Sequence, residues 1–331
     1  MSTATEPFEF TEHELQQIGR ANTTDATPVV FVHGLWLLPS SWDRWASLYE
    51  ENGFVAVKPG WPDDPETVAE ARAHPEVFAG KGIGEIADHH EGIIRRLDRK
   101  PVVIGHSFGG LLTEILAGRG LAAASVAISP APARGVLPLP LSALRSASVA
   151  LKNPANYNKA VPLTYEQFRY SFANAVGEDE AKELYLGYSV AGPGEPLFQS
   201  ASANINPWTE AKVDWKNPQR GPMLIVAGDR DQTVPFAIAN AAYKNESKNE
   251  GVTEIATMEG GATRSPSTPV GATWPRPPSR SSGGSYSHGS HRSAVLRTGR
   301  RGCGRRRSAR IVAPGWTASR RTEGDGDDEG R

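Results

Sequence analysis

The sequence predicts an α/β fold with a mostly parallel, doubly wound sheet. Short apolar runs rich in Val and Ile alternate with segments whose apolar residues recur at helical spacing. Parallel strands need crossover connections, so this alternation implies βαβ units with helices on both faces of the sheet. With 331 residues, the chain can hold one large α/β domain or two small ones.

Six apolar runs predict the strands, and most of them are bounded by Gly or Pro. Isoleucines at helical spacing predict a helix ahead of the third run. Two further helices are expected at Phe108–Ala117 and Pro235–Tyr243. The predicted strands are Pro28–His33, Phe54–Val57, Pro101–Ile104, Ser125–Ser129, Met223–Ala227 and Val252–Thr257.

The third run leads into Gly105–Gly109, which has the pattern Gly-x-Ser-x-Gly. Between a strand and a helix, this pattern predicts a nucleophile elbow, a sharp turn that exposes a reactive serine. Ser107 would lie at the helix N-terminus, where free N–H groups favour a developing negative charge. The alternative is a tight turn in which Ser107 only caps the helix.

The alternation of strands and helices stops between about residues 132 and 215. Thr164 and Gln167 have the spacing of a capping box, which predicts a helix that Gly177 would end. A second helix is expected at Asp179–Tyr188. The segment is interpreted as a helical lid over Ser107, in which an aromatic stripe could form core, substrate contacts or both. The apolar face of the first lid helix comprises Tyr165, Phe168, Phe172 and Val176.

The two ends of the chain differ from the body. Residues 1–26 are polar and are expected to form a peripheral arm, with the main domain at 27–260. The segment 261–331 contains about 14 Arg and about 5 acidic residues, and its Arg, Gly, Pro and Ser content predicts disorder. The net charge of −1 therefore averages an acidic body and a basic tail.

The composition also restricts the compartment. The single cysteine, Cys303, excludes an intrachain disulfide and fits a reducing compartment. The N-terminus lacks the basic and apolar regions of a signal peptide, and no apolar run is long enough to span a bilayer. A cytoplasmic protein is expected, without a membrane or nucleic-acid partner.

Three motifs resemble those of the alpha/beta-hydrolase superfamily, particularly its lidded bacterial esterase-like serine hydrolases. They are Phe31–Trp36, Gly105–Gly109 and Gly228–Pro235, and the resemblance covers about Pro28 to Met258. It implies that Ser107 is the nucleophile and Asp231 the acid of a catalytic triad.

The resemblance also implies roles around the triad. The backbone N–H groups of Leu35 and Phe108 would form the oxyanion hole, and His33 would shape the loop that carries Leu35. Asp229 is expected to order its turn through local hydrogen bonds. The residues expected to contact substrate are Trp36, Phe168 and Phe172.

The chain departs from the family pattern after its last strand. A catalytic histidine is expected near Gly260, but only His288 and His291 follow Asp231. The final helix that covers one sheet face in the family is missing as well, and a shifted reading frame would explain both losses. The alternative is a natural basic tail, in which Arg305–Arg307 would form a patch for nucleic acid or for an acidic partner.

Carboxylic-ester hydrolysis through an acyl-enzyme on Ser107 is the expected activity, impaired here if no histidine completes the triad. Two alternatives stay open: a cofactor-free haloperoxidase-like or C–C hydrolase, and a catalytically inactive binding protein. The sequence contains no spacing typical of a metal site and no dinucleotide-binding pattern, so no cofactor is expected. The expected partner is a small, largely apolar ester-like molecule, and the oligomeric state is left open.

Overall fold

A six-stranded parallel sheet lies at the centre of the molecule, in the strand order β2-β1-β3-β4-β7-β8. The computed structural model describes residues 9–137 and 140–258, together with the backbone of two short strands near the C-terminus. The strands are β1 (Thr27–Val32), β2 (Phe54–Val57), β3 (Val102–His106), β4 (Ala124–Ile128), β5 (Ala160–Val161), β6 (Gly192–Pro193), β7 (Met223–Gly228), β8 (Thr253–Met258), β9 (Leu296–Arg297) and β10 (Arg310–Ile311).

Helices connect the sheet strands and cover both faces of the sheet, as the alternating sequence pattern predicts. All six predicted strands form, with small differences at their ends. The α/β fold class is therefore confirmed. The helices are α1 (Glu12–Asn22), α2 (Asp43–Glu51), α3 (Val68–Ala73), α4 (Ile83–Arg95), α5 (Phe108–Gly118), α6 (Leu141–Leu151), α7 (Tyr165–Phe172), α8 (Glu178–Tyr188), α9 (Glu195–Ser202) and α10 (Phe236–Glu246).

The two faces of the sheet pack against different helices because successive strand residues point to opposite sides. Val29 and Phe31 of β1 share a core with Trp42 and with Tyr49 of α2. Val30 and Val32 face the other way, into the core that α4 and α5 complete. Every residue of α5 is buried. The helix that follows Ser107 is thereby held firmly against the middle of the sheet.

The insertion between β4 and β7 contains α6 to α9. The predicted capping box is present: Thr164 Oγ1 accepts from the Gln167 amide, and the Gln167 side chain accepts from the Thr164 amide. However, α7 ends at Phe172, short of the predicted stop at Gly177. Asn174 lies outside the helix, where its Nδ2 donates to the Arg230 carbonyl at 3.0 Å.

The N-terminal segment expected as a peripheral arm contains α1, which packs against the body. Thr11 and Glu14 form a capping box at its start, and Ile18 and Ala21 are buried. Its polar face also contacts β2. Gln17 accepts from the Lys58 amide and donates to the Lys58 carbonyl, while Arg20 donates to the Ala56 carbonyl at 2.7 Å. The polar residues that suggested an arm are therefore partly used in these contacts.

A buried ion pair fixes the far end of α10. Arg220 and Glu246 are both fully buried, with their charged groups 2.8 Å apart. Arg220 also donates to Thr253 Oγ1 at 2.8 Å, so the pair joins α10 to the start of β8.

None of the helices described is long and apolar enough to cross a membrane. The predicted tail, 261–331, lies outside the described residues except for the backbone of β9 and β10.

Candidate active site

Ser107 occupies a strained turn between β3 and α5. Its backbone has φ 58° and ψ −118°, a combination that a non-glycine residue adopts only when its surroundings enforce it. Those surroundings are hydrogen bonds: the Ser107 amide donates to the Ile128 carbonyl at 2.9 Å. Its carbonyl accepts from the amides of Gly110 and Ala131, each at 2.9 Å. The turn is therefore fixed from both the helix and the neighbouring strand.

The two glycines of the Gly-x-Ser-x-Gly pattern are required by close backbone approach. A Cβ atom on Gly105 would lie 2.0 Å from the Gly109 carbonyl oxygen. A Cβ atom on Gly109 would lie 2.1 Å from the Val32 carbonyl oxygen. Because real Cβ atoms do not approach backbone oxygens so closely, only glycine fits at these positions. The pattern thus brings β1, β3 and α5 together around Ser107.

The loop after β1 passes directly beside Ser107. A Cβ atom on Gly34 would lie 2.9 Å from the His106 carbonyl oxygen and 3.2 Å from Ser107 Cβ. Leu35 therefore follows immediately after the point of contact. In the described part of the chain, the backbone amides of Leu35 and Phe108 donate to no protein acceptor.

His33 connects this loop to the turn after β2. Its Nδ1 lies 3.0 Å from the Gly34 carbonyl oxygen, and its Nε2 lies 3.0 Å from Asp64 Oδ2. The same Asp64 oxygen accepts from the Trp61 amide at 2.9 Å. The Trp61 ring stacks on the imidazole with 5.0 Å between ring centroids. The sequence suggested that His33 shapes this loop, but it did not reveal Asp64.

Asp231 lies in the loop between β7 and α10, and it is buried. Its Oδ1 accepts from the amides of Thr233 and Val234, at 2.9 and 2.7 Å. Because β4 separates β3 from β7, and neighbouring strands lie about 4.8 Å apart, Asp231 and Ser107 follow strands about 10 Å apart. Both residues therefore follow the carboxyl ends of strands, at the same end of the parallel sheet.

The loop that carries Asp231 is hydrogen-bonded to the insertion between β4 and β7. Thr233 Oγ1 donates to the Ser171 carbonyl of α7 at 3.0 Å and lies 3.1 Å from Ser146 Oγ of α6. Asp229, the other carboxylate of the loop, is exposed, and its amide donates to the Met258 carbonyl at 3.2 Å. Of the two carboxylates, only Asp231 is therefore buried, next to residues that contact the insertion.

The three aromatic residues predicted to contact substrate lie inside the protein. Trp36 and Phe172 meet edge to face, with centroids 6.1 Å apart, and Phe172 stacks on Phe168 at 5.2 Å. Trp36 is 6% exposed, Phe168 is fully buried and Phe172 is 2% exposed. Trp36 Nε1 also donates to the Val161 carbonyl of β5 at 2.8 Å. These side chains join the loop after β1 to the insertion between β4 and β7.

No histidine in the described residues hydrogen-bonds to Ser107. Burial lowers the pKa of His106 to about 4, and its two ring nitrogens have no hydrogen-bond partner in residues 9–137 and 140–258. Burial and the neighbouring His89 lower the pKa of His90 to about 3, and its Nδ1 bonds to the Ile86 carbonyl. His89 pairs with Glu14 at 3.0 Å. Thus both members of the His89–His90 pair have roles in the core.

The expected position of a catalytic histidine, near Gly260, lies outside the described residues, as do His288 and His291. The predicted reading-frame shift also concerns that region and stays a prediction. In the region that the structure covers, no group of three His, Cys, Asp or Glu side chains could hold a metal ion.

Comparison with known proteins identifies one family. The sequence matches the model described as "Alpha/beta hydrolase family" over residues 29–261. No curated protein matches significantly.

Among solved structures, an extracellular alpha/beta-hydrolase from a Paenibacillus species is similar, with 18% identity and a TM-score of 0.53 over 73% of this chain and 95% of that one. A thermophilic esterase from Thermogutta terrifontis is 16% identical, with a TM-score of 0.50 over 73% and 85% of the two chains. At these identities, the likeness concerns the fold.

Proposed function

Because this chain belongs to the alpha/beta hydrolase family, we propose that it is built to cleave carboxylic esters through an acyl-enzyme on Ser107. The observation that carries the proposal is the strained backbone of Ser107 at the start of the buried helix α5. Ser107 Oγ attacks the ester carbonyl carbon, and the alcohol leaves after it receives a proton. Water then hydrolyses the acyl-enzyme.

The negative charge that develops on the carbonyl oxygen is held by the amides of Leu35 and Phe108. Both amides lie next to Ser107 and donate to no protein group among the described residues. Removal of one such donor typically costs 10²–10³ in kcat. Asp231 is assigned to orient and stabilise a protonated base between itself and Ser107.

Trp36, Phe168 and Phe172 are assigned to the apolar side of the acyl pocket, with the fully buried Phe168 packed behind Phe172. Their one polar atom, Trp36 Nε1, already donates to the Val161 carbonyl, which supports an uncharged acyl group. Acetyl and butyryl esters should therefore acylate Ser107, whereas a succinyl half-ester, which carries a carboxylate, should not.

The proton of Ser107 needs a base, and none of the histidines in the described residues hydrogen-bonds to Ser107: His13 and His74 are exposed, and the other four are buried. We therefore expect slow turnover from the chain as it stands, because a base in solution lacks the advantage of a fixed position. Added imidazole should accelerate the release of p-nitrophenol from p-nitrophenyl acetate by about 10-fold or more. A specifically reactive Ser107 should also bind a fluorophosphonate probe covalently.

Ser107→Ala tests the proposal, with Ser125→Ala as its matched control. Ser125 is a fully buried serine on β4 and has no role in the proposed chemistry. Ser107→Ala should abolish both the imidazole-dependent reaction and the labelling, whereas Ser125→Ala should retain both. Equal labelling of the parent and Ser107→Ala would reject Ser107 as the nucleophile.

The absence of a described histidine at Ser107 also favours a second function, a binding protein that retains the pocket. A folded parent that neither labels nor responds to imidazole would support this second function. If the parent is fast without imidazole, and His288→Ala or His291→Ala removes that activity, a histidine of the C-terminal segment supplies the base.

A further inference from the structure

Two polar side chains beside the loop after β1 have no part in the proposed reaction. His33 and Asp64 are 2% and 3% exposed, with 3.0 Å between Nε2 and Oδ2. Asp64 Oδ1 is also buried and has no hydrogen-bond partner among the described residues. Burial of a carboxylate with one oxygen unsatisfied costs free energy, so the stability of the fold alone does not explain Asp64.

The hydrogen bonds of His33 determine where its ring proton lies. The Gly34 carbonyl can only accept, so the 3.0 Å contact requires a proton on His33 Nδ1. At the other side of the ring, one proton is shared between Nε2 and Asp64 Oδ2. Asp64 thus fixes the ring in the orientation that directs Nδ1–H at Gly34.

The Gly34 carbonyl and the Leu35 amide belong to the same peptide unit. In a planar trans peptide, the C=O and N–H groups point in opposite directions. Holding the carbonyl towards His33 therefore directs the Leu35 N–H away from His33. If this peptide rotated, a carbonyl oxygen would replace the donor, and the flexible backbone of glycine makes such a rotation easy.

We propose that Asp64 is a positioning residue that acts through His33 to hold the Gly34–Leu35 peptide with its N–H turned towards the oxyanion. The inference rests on the proposed function, because it gives a role to a donor of the proposed oxyanion hole. His33 itself is not the missing base, since both of its ring nitrogens are engaged.

The contacts of Asp64 hold it in place, so that it can fix the orientation of the His33 ring. The Trp61 amide donates to the same oxygen that contacts His33, and the Trp61 ring stacks on the imidazole. A Cβ atom on Gly60 would lie 3.0 Å from Asp64 Cβ, so the backbone also approaches closely here. The turn after β2 and the loop after β1 are thereby joined into one arrangement.

The test compares Asp64→Ala, Asp64→Asn and His33→Phe in the full chain, with imidazole added. The rate of p-nitrophenol release gives kcat and KM separately. Asp64→Ala and His33→Phe should lower kcat by about 10- to 100-fold with little change in KM, because a donor that acts in the transition state is displaced. Asp64→Asn keeps a side-chain amide whose N–H can donate to the unprotonated Nε2 of a neutral His33, so its loss of kcat should be smaller.

Glu14→Ala is the matched control. Glu14 and His89 form a second buried carboxylate–imidazole pair, also 3.0 Å apart, between α1 and α4. Glu14→Ala should lower the free energy of unfolding about as much as Asp64→Ala does. It should leave kcat within about 2-fold of the parent. In the His33→Phe background, Asp64→Ala should cause no further loss of kcat, because both residues act through the same peptide.

Crystal structures of the parent and Asp64→Ala provide a measurement that does not depend on catalysis. A rotated Gly34 carbonyl in Asp64→Ala supports the proposal, even if Ser107 of the parent proves unreactive and the proposed function fails. An unchanged carbonyl orientation overturns the proposal. Ser107 that is reactive in the parent and equally reactive in Asp64→Ala likewise overturns it, while leaving the proposed function intact.

Discussion

At the scale of single residues, the candidate site depends on how closely the backbone can approach Ser107. Gly34, Gly105 and Gly109 occupy positions where a Cβ atom would overlap or crowd the elbow. The sequence pattern predicted the latter two. Glycine is needed at position 34 because two loops meet there in space. The spacing of residues in the sequence does not show such a contact.

Gly34→Ala should therefore impair the reactivity of Ser107. Its Cβ would lie 2.9 Å from the His106 carbonyl oxygen, so the loop must move by several tenths of an ångström. We expect fluorophosphonate labelling to fall by about 10-fold or more, since small displacements of catalytic groups are costly. Gly187→Ala in α8 is the control: it meets nothing within 4 Å and should stabilise the protein by about 1 kcal/mol. Unchanged labelling of Gly34→Ala would contradict the assigned contact.

At the scale of elements, two sets of contacts join the insertion between β4 and β7 to the loops of the candidate site. One is the set of hydrogen bonds between Thr233 and the helices α6 and α7. The other is Trp36, whose Nε1 donates to the Val161 carbonyl and whose own carbonyl accepts from the Val190 amide at 3.1 Å. If the contacts of either Thr233 or Trp36 are removed, we expect the insertion and the loop that contacts it to become more mobile together.

Trp36→Phe separates the hydrogen bond of Trp36 from its ring contact. Phenylalanine retains an aromatic edge for Phe172 but leaves the buried Val161 carbonyl without its donor, which costs about 1–3 kcal/mol. We expect faster hydrogen exchange in β5 and β6 and a lower free energy of unfolding. Trp208→Phe, at a side chain that is 86% exposed, should alter neither. Equal hydrogen-exchange rates of β5 and β6 in the parent and in Trp36→Phe would show that the Trp36–Val161 hydrogen bond does not hold the insertion in place.

The elements themselves were largely predictable because their patterns are local. The strand runs, the capping box at Thr164 and the elbow at Ser107 each depend on residues close together in sequence. The packed helix α1 was not predicted, because its stabilising contacts, including the Glu14–His89 pair, come from distant parts of the chain. Asp64 escaped notice for the same reason: its partner His33 lies 31 residues earlier.

At the scale of the whole molecule, buried histidines make the free energy of unfolding depend on pH. Burial lowers the pKa of His106 to about 4, from the ordinary value of 6.5 that an imidazole has in the unfolded chain. Between these values the unfolded state binds more protons, so stability is complete above about pH 6.5 and is lost as the pH falls towards 4. Burial also lowers the pKa of His90, so His90 likewise makes the free energy of unfolding fall as the pH falls.

His106→Leu should reduce this loss. From pH 7 to pH 5, the parent should lose about 2 kcal/mol through His106 alone, and urea unfolding of the two proteins at both pH values measures the difference. His90 is present in both proteins and cancels. Glu246, whose pKa is raised to about 7 chiefly by burial, acts in the opposite direction and also cancels. Identical pH dependence in parent and variant would contradict the assigned state of His106.

The contact between α1 and β2 has a consequence for association between molecules. An outer strand normally presents unpaired N–H and C=O groups that can recruit a strand from another chain. Here the Gln17 side-chain amide occupies both groups of Lys58, and Arg20 occupies the Ala56 carbonyl. On this side, an incoming strand would have to displace a helix. At the other margin, no side chain of residues 9–137 or 140–258 bonds to the backbone of β8, so among these residues β2 is the better protected edge.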